Sequence, residues 1–415
     1  MTVLSFFLIF SSPVALYLLV LKLLLIHKLQ RFALYAHKFN TLFLGDNLAS
    51  GESFGFLSRQ VTPFIVSTHD GEKLFAWHIL PLNSYIKHGP DILEEKTQGK
   101  DKFLEKKEFI RTKAFGYLTR AERVVVVFHG NAGHVAQSYR PGLYRSLINQ
   151  ANTHVLAFDY RGFGHSTGSP TESGLIADGI SFVNFVLHVA GVPAERIILL
   201  GHSLGTGVAS AVALYFADSK SQMVPTEAKP KPELKDDDGI SPTTFAGVVL
   251  IAPFYNLPLL LLTYRIGGCL PILLPLRPIF PWVTKILNQK IVDRWRTADR
   301  LAMYYGILIN NRKAMKTMGN SKLLGGVHLI HSRRDWDISF RQSEMICARI
   351  LGADDKAWRK SCVDASRGPA FAEYIPDTDE DFVGPNWRVD IVEYGGHNKI
   401  LTFAPVAAAV LRIFG

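Results

Sequence analysis

Short continuous apolar runs alternate along this chain with longer stretches of helical spacing. Val124–Phe128, Val155–Phe158, Ile197–Leu200 and Phe245–Ile251 are such runs, rich in Val, Ile and Leu, and Val327–Ile330 and Val389–Val392, each carrying one polar residue, supply two late strands. Unbroken apolar runs of this length predict strands buried on both faces. Between and after them, His134–Gln150, Ser173–Val189, Thr206–Ala217, Phe340–Leu351 and Leu401–Phe414 predict helices; in the second, Ile176, Ile180, Val183 and Leu187 fall on one helical face. Strands alternating with helices imply an α/β fold, a mostly parallel central sheet covered by helices on both faces. Ahead of this rhythm, Phe64–Pro81 alternates around Asp70-Gly71 and predicts an opening β-hairpin.

The first segment follows neither pattern. Val3–Leu21 carries no charge, and the apolar stretch resumes after Lys22 as Leu23–Ile26. About 20 such residues span a bilayer, so a transmembrane helix over residues 3–26 is expected, uncleaved because a charged leader and a small-residue cleavage site are missing. Residues 1–45 thus read as anchor and juxtamembrane segment, and 46–415 as one folded domain. Polar, Lys-, Pro- or Asp-rich stretches at about 83–119, 219–242 and 352–387 read as surface insertions. The apolar stretch at about 255–300, interrupted by Pro271, Pro275, Pro278 and Pro281, makes a poor straight membrane helix. It fits an inserted cap over an apolar pocket, with Arg265 and Arg277 embedded in it.

Composition narrows the classes. The 415 residues are 48% hydrophobic, enough for a large core. Three scattered cysteines offer neither a disulfide framework nor a zinc site. A net charge of +10 arrives without an aromatic-interleaved basic stripe, so it suits an anionic membrane surface better than nucleic acid. No cofactor, metal or nucleotide signature is present, and neither metal nor nucleic acid is expected as a partner. Lys22, His27, Lys28, Arg31 and Lys38 follow the apolar run, which by the positive-inside rule puts the domain in the cytosol.

The chemistry centres on Gly201-His202-Ser203-Leu204-Gly205, placed where the Ile197 strand must turn sharply into a helix. Glycines two residues either side of the serine relieve crowding in such a nucleophile elbow. A serine hydroxyl needs a base, and the base a partner that fixes its tautomer. Downstream, His331-Ser332-Arg333-Arg334-Asp335 follows one strand and Gly395-Gly396-His397 another. Ser203, Asp335 and His397 are therefore the expected triad, with Asp337 as the alternative acid. Backbone N–H groups of Leu204, just after the serine, and Asn131, in the Gly-rich turn His129–Gly133, are the expected oxyanion donors; His129 braces that turn. His154 and Asp159 match an acyltransferase spacing, but an odd separation along one strand points them to opposite faces.

With these residues, the chain resembles the α/β-hydrolase superfamily, most closely its membrane-anchored monoacylglycerol and lysophosphatidylserine lipase branch. The resemblance runs from about Phe64 onward. It rests on Asp70-Gly71 to Trp77-His78, Phe128 to Gly133, Asp159 to Gly164 and Gly201 to Gly207. At the acid segment, Ser332, Ile338 and Ser339 replace the family's Gly, Val and Pro. The resemblance implies a carboxylic ester hydrolase, single-pass in the endoplasmic reticulum membrane, acting on monoacylglycerols or lysophospholipids. It also puts the domain in the lumen, against the charge rule, so both sides stay open. A protein S-depalmitoylase or a non-catalytic scaffold on the same fold are the competing readings.

Overall fold

The computed structural model describes residues 15–95, 103–231, 242–266, 270–271, 285, 289–317, 325–351, 370–374 and 386–415. Its main sheet holds nine strands: β1 (Val61–Ser67), β2 (Lys73–Ile79), β3 (Arg123–Phe128), β4 (Thr153–Phe158), β5 (Ile197–His202), β6 (Gly247–Ile251), β9 (Gly326–Ser332), β10 (Ala370–Tyr374) and β11 (Asn386–Val392). They lie in the order β1-β2-β4-β3-β5-β6-β9-β11-β10. From β4 through β11 every neighbouring pair is parallel; β1, β2 and the edge strand β10 run antiparallel to their neighbours. A two-residue ribbon, β7 (Arg265–Ile266) with β8 (Leu270–Pro271), stands apart.

Period-two alternation sorts the strand residues into two cores. Val124, Val126, Phe128, Leu199, Val248, Leu250 and Leu329 face one layer; Val125, Val127, Ile198, Leu200, Val249, Ile251 and Ile330 face the other. The first layer is closed by α3 (Glu172–Asn184), α4 (Leu204–Ala217), α5 (Thr297–Thr317) and α6 (Arg341–Leu351), and the second by α2 (Arg140–Ile148) and α7 (Ala404–Phe414). Both faces of the sheet are thus out of water, which is why its central strands read as continuous apolar runs rather than alternating ones. The expected hairpin is present, and its Asp70 is gripped by Arg161, whose guanidinium also pairs with buried Asp178.

Several expectations change. The stretch 83–119 is not simply a solvated insertion: it forms helices Leu82–Glu94, Lys106–Phe109 and Lys113–Leu118, and Phe109 stacks on Phe64 of β1 with centroids 3.9 Å apart. Leu104 also pairs with β1. In 219–242, Val224 and Ala228 are buried, and residues 232–241 lie outside the described residues. Within 352–387, residues 370–374 are a sheet strand rather than a surface insertion; most of the rest is outside the described residues. The helix expected from His134 begins only at Arg140, because residues 134–139 are turns that complete the loop after β3.

At the N-terminus, residues 15–23 are helical and α1 (His27–Tyr35) follows a short turn; residues 1–14 lie outside the described residues. No helix of the described residues is long and apolar enough to cross a membrane. Residues 267–269, 272–284 and 286–288 of the expected cap, Arg277 among them, also lie outside the described residues; its described start is a short helix Leu257–Leu261 capped by the Asn256 side chain.

Candidate active site

β5 ends at His202, and Ser203 takes the left-handed backbone φ 51° before α4 begins. A non-glycine residue there costs about 1–3 kcal/mol and persists only where its surroundings hold it. They do so closely. A Cβ on Gly205 would stand 2.0 Å from the Phe128 carbonyl oxygen, and one on Gly201 2.6 Å from the Gly205 carbonyl oxygen. The two glycines let the turn close against β3, as the elbow requires.

The three expected side chains meet from three strand ends. His397 Nε2 lies 3.0 Å from Ser203 Oγ, and His397 Nδ1 lies 2.7 Å from Asp335 Oδ2. Ser203 and Asp335 are each 6% exposed, so the chain of hydrogen bonds is largely screened from water. Asp337, the alternative acid, instead donates its backbone N–H to Asp335 Oδ1, as does Ile338 at 2.8 Å. Those two N–H groups orient the Asp335 carboxylate toward the imidazole. Burial opposes its ionisation, but the charge and hydrogen bonds of His397 and His331 outweigh that and hold the carboxyl well below the usual range. For His397, burial works against the imidazolium, yet the Asp335 charge and hydrogen bond, with Asp337 behind, leave its pKa raised.

The expected oxyanion loop lies against the elbow: a Cβ on Gly130 would be 3.3 Å from Ser203 Cβ. Asn131 follows it directly, and Leu204 opens α4. His129 is buried, its Nδ1 2.7 Å from the Gly130 carbonyl, and burial pushes its pKa well down. It braces the loop. Asp159 sits beneath, accepting from Val135 N–H at 2.7 Å, and burial raises its carboxyl to about 8. His154 lies elsewhere, stacked on His78 of β2 with Nδ1 2.9 Å from the His78 Nε2.

Three supports escaped the sequence reading. His202 Nε2 bonds the His397 carbonyl at 2.9 Å; burial lowers its pKa to about 3, so it braces His397 as a neutral donor. Ser332 Oγ accepts from Gly396 N–H at 3.1 Å, tying the histidine loop to β9. Arg140, buried, gathers the carbonyls of Gly130, Asn131 and Ala132. A hint existed for Ser332, where the chain departs from the family's glycine; a single arginine at a helix start gives none.

Residues 124–410, more than half of the chain, match the description "Alpha/beta hydrolase family". The chain belongs to this family. It resembles the ABHD12 branch: it is 44% identical over 90 residues to "Protein ABHD12B" of Homo sapiens, covering 22% of this chain and 24% of that protein. It is also 33% identical over 147 residues to "Lysophosphatidylserine lipase ABHD12" of Xenopus tropicalis, covering 35% and 33%. The chain thus matches about a third or less of the length of these curated relatives. Among solved structures, a Pyrococcus furiosus esterase, Pf2001, aligns over 88% of this chain and 92% of its own at TM-score 0.46 and 14% identity.

Proposed function

We propose that the protein is a membrane-anchored serine hydrolase that cleaves carboxylic esters of lipids. The observation that carries the reading is the continuous hydrogen-bond chain from Ser203 Oγ through His397 to Asp335, at 3.0 and 2.7 Å. Ser203 attacks the acyl carbonyl while His397 Nε2 takes its proton. The imidazolium, stabilised by Asp335, then protonates the leaving alcohol, and the N–H groups of Asn131 and Leu204 hold the oxyanion. Water, deprotonated in turn by His397, attacks the acyl-serine; the fatty acid leaves and the proton returns to Ser203 Oγ. No metal or cofactor enters any step.

Monoacylglycerols and lysophospholipids are the proposed substrates. The lysophosphatidylserine lipase names of the relatives support this choice, as do the apolar residues that crowd the chain's N-terminal end. The cap at 255–300 would take the acyl chain, and Arg265 or Arg277 would meet an anionic headgroup. The proposed location is the endoplasmic reticulum membrane through a single span at 3–26; protease protection in sealed microsomes decides between lumen and cytosol. A fluorophosphonate probe tests the chemistry: it is expected to label the wild-type chain and not Ser203→Ala. Equal labelling of both removes the serine-hydrolase reading, and failure to hydrolyse lysophosphatidylserine or monoacylglycerol in vesicles removes the substrate class.

A further inference from the structure

The loop that brings Asn131 to the serine is held along both of its edges. Ala132 and Gly133 take left-handed backbone angles, φ 56° and 72°. For alanine that conformation is costly, so the loop needs outside support. One guanidinium nitrogen, Arg140 Nη2, donates to the carbonyls of Gly130, Asn131 and Ala132 at 3.1, 3.2 and 2.9 Å. On the opposite edge, Ala132 N–H donates to the Tyr35 carbonyl at 2.9 Å and Gly133 N–H to the Phe39 carbonyl at 2.8 Å. The Asn131 side chain reaches the Leu34 carbonyl at 3.4 Å.

A trans peptide points its C=O and N–H in opposite directions. Fixing one therefore aims the other. The peptide planes 131–132 and 132–133 are pinned at both ends, by Arg140 on the carbonyl side and by the N-terminal segment on the N–H side. Plane 130–131 is pinned by Arg140 through its carbonyl, which directs the Asn131 N–H away from Arg140, at a loop position lying against Ser203.

The N-terminal segment has its own latch. Arg31 pairs bidentately with Asp293 at 3.0 and 3.1 Å, and the Tyr35 hydroxyl donates to the same carboxylate at 2.8 Å. Asp293 is 4% exposed and Tyr35 fully buried, so the contact is part of the folded interior. Farther along, Thr41 Oγ1 and His134 Nε2 lie 3.0 Å apart, tying residues after α1 to the far end of the same loop.

We propose that residues 27–46, latched through Asp293, form together with Arg140 a positioning element for the oxyanion hole, so that the segment leading out of the apolar N-terminus sets the rate of acyl transfer. This inference rests on the hydrolase reading above. Asp293→Asn in the full-length chain weakens the latch without touching substrate, base or nucleophile. With a soluble p-nitrophenyl ester, kcat is expected to fall about 10²-fold while KM stays near the wild-type value. Affinity for a trifluoromethyl ketone, which mimics the tetrahedral intermediate, falls by the same factor. Affinity for a non-hydrolysable ether analogue of the substrate does not change. Should Asp293→Asn fail to fold, Tyr35→Phe removes one hydrogen bond of the latch and is expected to shift kcat and ketone affinity together by a smaller factor. An unchanged kcat, or a lower kcat with undiminished ketone affinity, overturns the positioning role. If Ser203→Ala keeps its activity the hydrolase reading itself fails; if Ser203→Ala is inactive while Asp293→Asn turns over normally, only the latch fails.

Discussion

At the scale of single residues, the site turns on opposed effects around His397. Burial alone lowers an imidazole pKa, as it does at His202 and His129. At His397 the adjacent Asp335 reverses the sign, and the pKa is raised. A general base must be neutral to accept a proton, so kcat/KM climbs with pH through this pKa. The ascending limb is expected above about 6.5, the ordinary imidazole value. Asp335→Asn removes the main group that raises it and leaves burial, so the limb moves to lower pH. The tautomer is lost as well, and kcat falls on the order of 10⁴-fold. A pH–rate profile of the two proteins checks both parts. A limb that stays in place on substitution would mean that Asp337 or another group supplies the charge.

At the scale of elements, what the sequence reveals depends on how far a residue's role is local. The parallel strands β3, β4, β5 and β6 were legible because residues buried on both faces leave nearly unbroken Val, Ile and Leu runs. Ser203 was legible because an elbow admits only small residues around it, and the order of Asp335 and His397 followed from strand ends. Arg140 and His202 were not, since each acts on backbone carbonyls of another loop, and carbonyls leave no trace in residue identity. Phe109 and Leu118 were hidden within a charged stretch whose average composition reads as surface, although both are fully buried. Ser332 lies between these cases. Its hydroxyl accepts the N–H groups of Gly396 and Arg334 at 3.1 Å each, linking β9 to the loop that carries His397. Ser332→Ala leaves two N–H groups short of a partner and is expected to cost about 1–3 kcal/mol. Urea unfolding reads the loss, and kcat should fall several-fold as His397 loosens. Wild-type stability with wild-type kcat would show that the loop holds its shape without that hydroxyl.

At the scale of the whole molecule, apolar exposure is concentrated toward one end of the chain. Leu16, Leu18, Leu19, Ile26, Phe32, Phe39, Phe43 and Leu44 are exposed, Phe43 by 80% and Leu44 by 70%. A soluble surface rarely carries so many large apolar groups close together. Sequence alone suggested a simple tether at residues 3–26 joined to an independent domain. Instead the apolar exposure continues past α1 to the residues that hold the His129–Gly133 loop, so the proposed anchor and the proposed active site share a boundary. Two attractions to a bilayer are then in play, apolar burial and the charge of +10. They separate by salt, because at about 1 M the screening length falls to about 3 Å and surface charge ceases to bind, whereas apolar insertion strengthens. Flotation of the full-length chain with phosphatidylcholine vesicles, with and without phosphatidylserine, is expected to recover it in both cases and to retain it through a high-salt wash. Replacing Phe39, Phe43 and Leu44 together by Ser should leave this binding intact if residues 3–26 span the bilayer, yet reduce hydrolysis of vesicle-borne lysophospholipid relative to a soluble ester. Release by salt would show that charge alone holds the protein at the surface, and the single-span reading would fall.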